Sequence, residues 1–161
     1  AWRYNKDKAE ALADLICESL PKKFDVMRVH VGGDYFSKTY LEAWVIVAHR
    51  NPEKVFYSYS KSLHLFSDVI RPENLVLTAS RGGKFDELID QHGWKEAVVV
   101  YSEEEAAEKG LEIDHDDTHA AFGSENFALL IHGTQPKGSA ASQALSALLK
   151  KKKLASNPQP V

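Results

Sequence analysis

The sequence predicts an α/β fold: a partial (β/α) barrel, or an open and mostly parallel sheet of about five strands, flanked by helices. Three observations predict it. Short apolar runs recur at Met27–Val31, Val55–Tyr59, Leu75–Ala79, Ala97–Tyr101 and Phe127–Ile131. They are continuous rather than alternating, as in parallel strands buried on both faces. Each run ends in a polar cluster, and most clusters lead into a segment of helical periodicity. Strand–helix–strand connections of this kind are right-handed and set the strands parallel. A partial barrel is preferred to a flat doubly wound sheet because no single crossover in the pattern marks a reversal of strand order.

Taken in order, residues 5–20 form an amphipathic helix on Ala9, Leu12, Ala13, Ile16 and Leu20, stopped by Pro21. A strand follows at 27–31. Ser37 is an N-cap for a helix to about Arg50, with an apolar stripe of Tyr40, Leu41, Trp44, Val45, Val47 and Ala48; Asn51-Pro52 ends it. After the strand at 55–59, a short helix is expected over Ser62–Ile70, before Arg71-Pro72. Strand 75–79 precedes a helix over 84–92 that Gly93 closes. Strand 97–101 leads into Ser102-Glu103-Glu104-Glu105, a capping box in which Ser102 and Glu105 serve each other's orphan amides. That helix ends at Gly110. Residues 111–126 break the pattern and predict no helix. The last strand, 127–131, passes through a Pro/Gly loop into a helix over 139–150. Residues 1–149 make one α/β domain, and 150–161 a basic, disordered tail.

The 161 residues fit one domain with a core that needs no disulfides. Hydrophobic residues at 43% and charged residues at 27% are ordinary for a soluble domain. A net charge of −3 gives no global attraction to nucleic acid or membrane. The one cysteine, Cys17, has no disulfide partner and cannot hold an iron–sulfur cluster unaided, which suits a reducing compartment. It falls inside a helix, a poor place for a nucleophile. There is no membrane-spanning stretch, signal peptide or Gly-x-Ser-x-Gly elbow. A start at Ala1-Trp2-Arg3-Tyr4 without Met suggests a fragment or a processed product.

In parallel folds the ligand sits beyond the carboxyl ends of the strands. The polar clusters are therefore the candidate site. In His30-Val31-Gly32-Gly33-Asp34 the glycines let backbone approach a ligand, Asp34 can hold an amine or hydroxyl, and His30 can act as acid, base or ligand. The plainer alternative is a tight turn with Asp34 favouring the next helix N-terminus. Lys61 ends the second run. Ser80, Arg81, Gly82, Gly83 and Lys84 join two glycine amides to two cations at a helix N-terminus, an anion site or else a solvated basic turn. His115, Asp116, Asp117 and His119 offer nitrogen and oxygen ligands for a divalent metal, or a solvated acidic loop. His132, Gly133, Thr134 and Gln135 repeat the strand–glycine arrangement, with helix capping as the alternative. His30, Asp34 and His132 are the catalytic candidates. Lys150, Lys151, Lys152 and Lys153 form a basic run that suits nucleic acid or the helix dipole. Phe56, Tyr57 and Tyr59 fit strand core better than base stacking.

Several of these runs are recognisable together: Arg28-Val-His-Val-Gly-Gly-Asp-Tyr-Phe-Ser37, Asn74-Leu-Val-Leu-Thr-Ala-Ser-Arg-Gly-Gly83, Ser102-Glu-Glu-Glu-Ala106, Glu112-Ile-Asp-His-Asp-Asp117 and Leu130-Ile-His-Gly-Thr-Gln-Pro136. From about Trp2 to Leu149 the chain resembles an uncharacterised bacteriophage protein family named for a mycobacteriophage gene product. Longer members carry a cysteine-bearing segment upstream. A cysteine cluster followed by a strand ending in Gly-Gly-acid is similar to radical S-adenosylmethionine enzymes, where that strand end holds the methionine amine. The resemblance implies that role for Gly32, Gly33 and Asp34, with Asp in place of Glu, on a partial barrel without its cysteine cluster. It places the protein in the host cytoplasm.

The expected function is a phage-encoded domain that binds a small anionic or adenosyl ligand, S-adenosylmethionine included, at its strand ends. The alternatives are a metal-dependent hydrolase or nuclease built on His115–His119, and a non-catalytic accessory protein that binds a host protein or DNA through Lys150–Lys153. No membrane partner is expected.

Overall fold

The computed structural model describes residues 2–133 and 135–155, the side chains of 2–6 and 154 excepted. The helices are α1 (Trp2–Ser19), α2 (Lys38–Arg50), α3 (Glu87–His92), α4 (Glu103–Glu108), α5 (Thr118–Phe122) and α6 (Ala140–Ala155). The strands are β1 (Val26–Arg28), β2 (Val55–Ser60), β3 (Leu75–Ser80), β4 (Glu96–Val100), β5 (Glu112–Ile113) and β6 (Phe127–Leu130). Six parallel strands in the order β1-β2-β3-β4-β6-β5 curl into an open half-barrel flanked by helices. The predicted fold class is the observed one, with one strand more than the apolar runs announce.

Alternation along the strands separates two faces. Phe56 of β2 and Leu75, Leu77 and Ala79 of β3 point outward, into a core with Leu41, Trp44 and Val47 of α2 and Ala13 of α1. On the same outer side, Val98 and Val100 of β4 and Ala128 and Leu130 of β6 pack with Ala106 of α4. The opposite, inner face carries Tyr57, Tyr59, Val76, Ala97, Phe127 and Leu129, and α5 lies on it through Ala120 and Ala121. The outer core supplies the larger apolar burial, at roughly 1.5–3 kcal/mol for each large side chain enclosed.

The caps follow the sequence with one shift. The Tyr40 amide donates to Ser37 Oγ at 3.2 Å, opening α2. At α4 the Glu105 amide donates to Ser102 Oγ at 3.0 Å, but the returning Glu105 carboxylate accepts from the amide of Tyr101 rather than that of Ser102.

Six features differ from the pattern. β1 stops at Arg28, because it is an edge strand whose ladder ends when the Val29 amide donates to Tyr57 O at 2.8 Å; beyond it Val31 is 87% exposed. Over 62–70 only a 3-10 turn at Leu63–Leu65 forms. α3 begins at Glu87, since Asp86 turns back onto the amides of Gly82 and Gly83. Residues 111–126 contain β5, two residues long, and the five-residue α5. β6 inserts between β4 and β5, so the strand order reverses at that edge. At the end, α6 runs on through Lys150–Lys153 to Ala155 instead of giving way to a tail at 150; lysine is a good helix former and suits a C-terminal turn. Among the described residues no helix is long and apolar enough to cross a membrane.

Candidate functional site

The polar strand ends lie together along one rim of the sheet, and most are fastened to one another. The Asp34 carboxylate accepts from the Tyr35 amide (2.7 Å), Ser60 Oγ (2.7 Å), the Lys61 amide (2.7 Å) and the Ser62 amide (3.1 Å). It closes the loop after β1 onto the end of β2. Both oxygens are filled, so Asp34 does not offer a ligand amine an open carboxylate, and the role implied by the Gly-Gly-acid resemblance is not available to it here. Gly32 and Gly33 stand in open surroundings beside it. Lys61 Nζ donates to the carbonyls of Ser80 (3.0 Å) and Arg81 (2.8 Å), tying the end of β2 to that of β3.

The Gly82–Gly83 turn does bind an anion, and the anion is the chain's own. The amides of both glycines donate to Asp86 at 2.9 Å. Burial alone raises the Asp86 carboxyl, but those amides, with Arg81 and Lys61 nearby, outweigh it and hold the group below its ordinary value. Arg81 pairs with Glu96 and with Asp90 (2.9 Å), which leaves little net positive charge at this end. Lys84 is exposed, its Nζ 5.6 Å from the Phe85 ring centroid.

His30 turns into an aromatic cluster. Its Nε2 is 3.1 Å from Tyr40 Oη and its ring meets Tyr35 edge-on at 4.7 Å. Nδ1 is buried without a partner. Burial lowers the His30 pKa, against the pull of Asp34.

A cleft of about 750 Å³ opens at the C-terminal ends of β3, β4 and β6. Val99, Leu129 and Ile131 give it an apolar wall; Arg81, Tyr101, Glu105, His132 and Gln135 add polar groups. The structure thus gathers Arg81, Gly82, His132 and Gln135, while His30 and Asp34 do not line this cleft. His132 and Gly133 are exposed, and Gln135 Nε2 donates to His132 O at 2.8 Å, closing the turn between them. Thr134 lies outside the described residues.

The side chains of the His115–His119 segment point to separate partners. Among the described residues, no group of three or more His, Cys, Asp or Glu side chains is gathered as a metal would require. His115 is exposed; Asp116 accepts from the Thr118 hydroxyl (2.5 Å) and amide (3.1 Å); His119 Nε2 is 3.0 Å from Glu112. Asp117 points the other way, onto the sheet. It accepts from Tyr57 Oη (2.8 Å), Tyr59 Oη (2.8 Å) and Arg28 (3.2 Å). The short helix that forms here spreads these side chains instead of collecting them.

Asp117 adopts φ +65°, the one left-handed non-glycine among the described residues. Asp tolerates that region at modest cost. Around it the segment is pinned at both ends. The buried Asp114 accepts from the amides of Asp116 and Ala120, each at 3.2 Å. Lys95 Nζ donates to the carbonyls of His119, Ala120 and Gly123, each at 2.8 Å. Burial lowers the Lys95 pKa, which Asp114 opposes. Burial and then the bond to Asp117 raise both phenols, that of Tyr57 to about 12.

Sequence reasoning missed Arg28, Tyr57, Tyr59 and Lys95 as site residues. The tyrosines carried a signal: two hydroxyls spaced by two in a strand point to one face and need partners when enclosed. Lys150–Lys153 are exposed on α6, with Lys151 3.2 Å from Glu104.

Comparison with known proteins agrees with the motifs. A family model described as Gene product 88 matches residues 2–151. The gene 88 protein of Mycobacterium phage L5 is 32% identical over 123 residues, which cover 74% of this chain and 44% of that protein. The matched part therefore spans less than half of that relative. No solved structure matches.

Proposed function

The chain belongs to the Gene product 88 family, and we propose that its half-barrel binds a small ligand of adenosyl type in the cleft at the ends of β3, β4 and β6. The observation that carries this reading is the composition of the cleft. About 750 Å³ lies in the range of small-molecule sites, with an apolar wall and a few convergent polar groups. A flat heteroaromatic ring finds Val99, Leu129 and Ile131 for its faces and Glu105, Gln135 and His132 for its polar edge. A bare phosphate is served less well, because Arg81 is already balanced by Glu96 and Asp90.

In this proposal the domain is a scaffold of the radical S-adenosylmethionine kind that suits the adenosyl half of such a ligand and not its amino-acid half. Asp34 is the group the resemblance assigns to the methionine amine, and its four accepted bonds oppose that use. Cys17 is the one cysteine of the chain and one thiolate does not hold a cluster. The residues present therefore do not fit the cluster, and no radical step is derived from them.

The test is a titration followed by NMR, with adenosine, S-adenosylhomocysteine, methionine and inorganic phosphate as separate probes. The two adenosyl compounds are expected to saturate and to shift signals of Tyr101 and His132, and Tyr101→Ala to weaken them about tenfold. Methionine and phosphate are expected to leave those signals in place. Absence of saturable binding by either adenosyl compound discards the reading.

A further inference from the structure

The inner face of the half-barrel is covered by the chain's own segment 114–123, and the sheet meets it with a group built for a carboxylate. Arg28 of β1 and Tyr57 and Tyr59 of β2 converge on Asp117, and all of them belong to the sheet. Arg28 also stacks over the Tyr59 ring, 4.8 Å from its centroid, and is braced by its Nε donating to His30 O at 2.9 Å. Two phenol hydroxyls and a guanidinium, all carried by the sheet and none by the segment, make a charge-assisted set of donors for a carboxylate.

The segment is an imperfect occupant. Thr78, 0% exposed, has a buried hydroxyl with no partner. By strand alternation it shares the inner face with Val76, beneath α5. Buried hydroxyls are normally paired, so the sheet here keeps a polar group that α5 does not satisfy. The apolar hold is also slight, since α5 presents two alanines, Ala120 and Ala121, to the sheet. What retains the segment is polar: Asp117 on one side and Lys95 on the other.

We propose that Arg28, Tyr57 and Tyr59 form a binding site for the carboxylate of a small organic acid, that Asp117 stands in for that carboxylate, and that segment 114–123 is a plug which such a ligand displaces. The proposal does not depend on what fills the strand-end cleft. Val99 and Leu129 of that cleft share the inner face, so lifting the plug lengthens the cleft toward Arg28.

The test uses the full chain and acetate as probe, with chloride as control. In Asp117→Ala, acetate is expected to raise the melting temperature saturably and to speed amide exchange across 115–122, because the ligand takes the place that holds the segment down. In the unaltered protein the same effect is expected to need about tenfold more acetate, because Asp117 competes. Adding Tyr57→Phe and Tyr59→Phe to Asp117→Ala is expected to abolish it. No acetate effect in Asp117→Ala, or one that survives both phenylalanines, overturns the site. Native-state hydrogen exchange tests the plug separately. The amides of Ala120, Ala121 and Gly123 are expected to open at least about tenfold more often than those of β2 and β3. Exchange only together with the sheet overturns it. Should Asp117→Ala fail to fold, Asp117→Asn is measured by exchange, with faster opening of 114–123 and unchanged β2 and β3 expected; unchanged 114–123 overturns the proposal.

Discussion

Tyr59 Oη donates to Asp117 Oδ1 at 2.8 Å, joining residues 58 positions apart in the chain. Together with Tyr57 and Arg28 on Oδ2, this contact fixes the one stretch that the helix–strand pattern leaves unassigned. It has a signature in alkali. The phenols of Tyr35, Tyr57 and Tyr59 are all held above their ordinary value of 10.0, first by burial.

Because the folded protein keeps these protons longer than the unfolded chain, they contribute stability below pH 10.0 that is lost as pH rises toward the folded values, about 12 for Tyr57. Ultraviolet titration is expected to show three of the six tyrosines resisting ionisation until the protein unfolds. In Asp117→Ala, Tyr57 and Tyr59 are expected to ionise earlier and Tyr35 not to move.

His30 contributes on the acid side. Its folded pKa lies below the ordinary 6.5, so the unfolded chain takes up the proton first. Stability is therefore full above pH 6.5 and falls as pH drops from there toward the folded value. Denaturant midpoints measured across this window are expected to decline, and His30→Gln to flatten the decline.

Asp34→Ala strips four donors of their acceptor at the junction of β1 and β2. A loss of about 2–3 kcal/mol is expected from equilibrium unfolding, as for a charged hydrogen-bonding group removed from a network. Asp34→Asn, which keeps the shape, is expected to recover part of it.

Gly123→Ala tests close approach. A Cβ there meets His119 O at 2.8 Å, backbone that has no room to give. A cost of about 1–3 kcal/mol is expected. Lys95→Met removes the charge that joins the His119, Ala120 and Gly123 carbonyls and is expected to loosen the same segment. Exchange rates over 114–123 check both.

The sheet and its large helices were legible because they obey periodicity. Leu41, Trp44 and Val47 repeat at helical spacing, and Leu75–Ala79 is a plain apolar run. β5 and α5 were not, because a strand of two residues and a helix of five show no period. The rim residues were legible as a group but not in their roles. Lys61, Asp34 and Arg81 have the right types for ligand binding, yet each finds its counter-group within the chain, and only long-range contacts reveal that. Tyr57 and Tyr59 lay inside a run already explained as core, and Arg28 inside a separate expected strand.

The placement of β6 between β4 and β5 imposes an order on assembly. β5 leaves a ribosome before its neighbour β6 exists, and its register, Glu112 opposite Phe127 and Ile113 opposite Ala128, is met only once the chain reaches that point. Until then β4 is a bare edge bearing Val98 and Val100, the kind of edge that recruits foreign strands. β5 must meanwhile wait without a strand partner, and the closure of the stretch between β4 and β6 slows the last step of folding. Synthesis paused within that stretch is thus the moment at which this protein is most exposed to aggregation or to a chaperone.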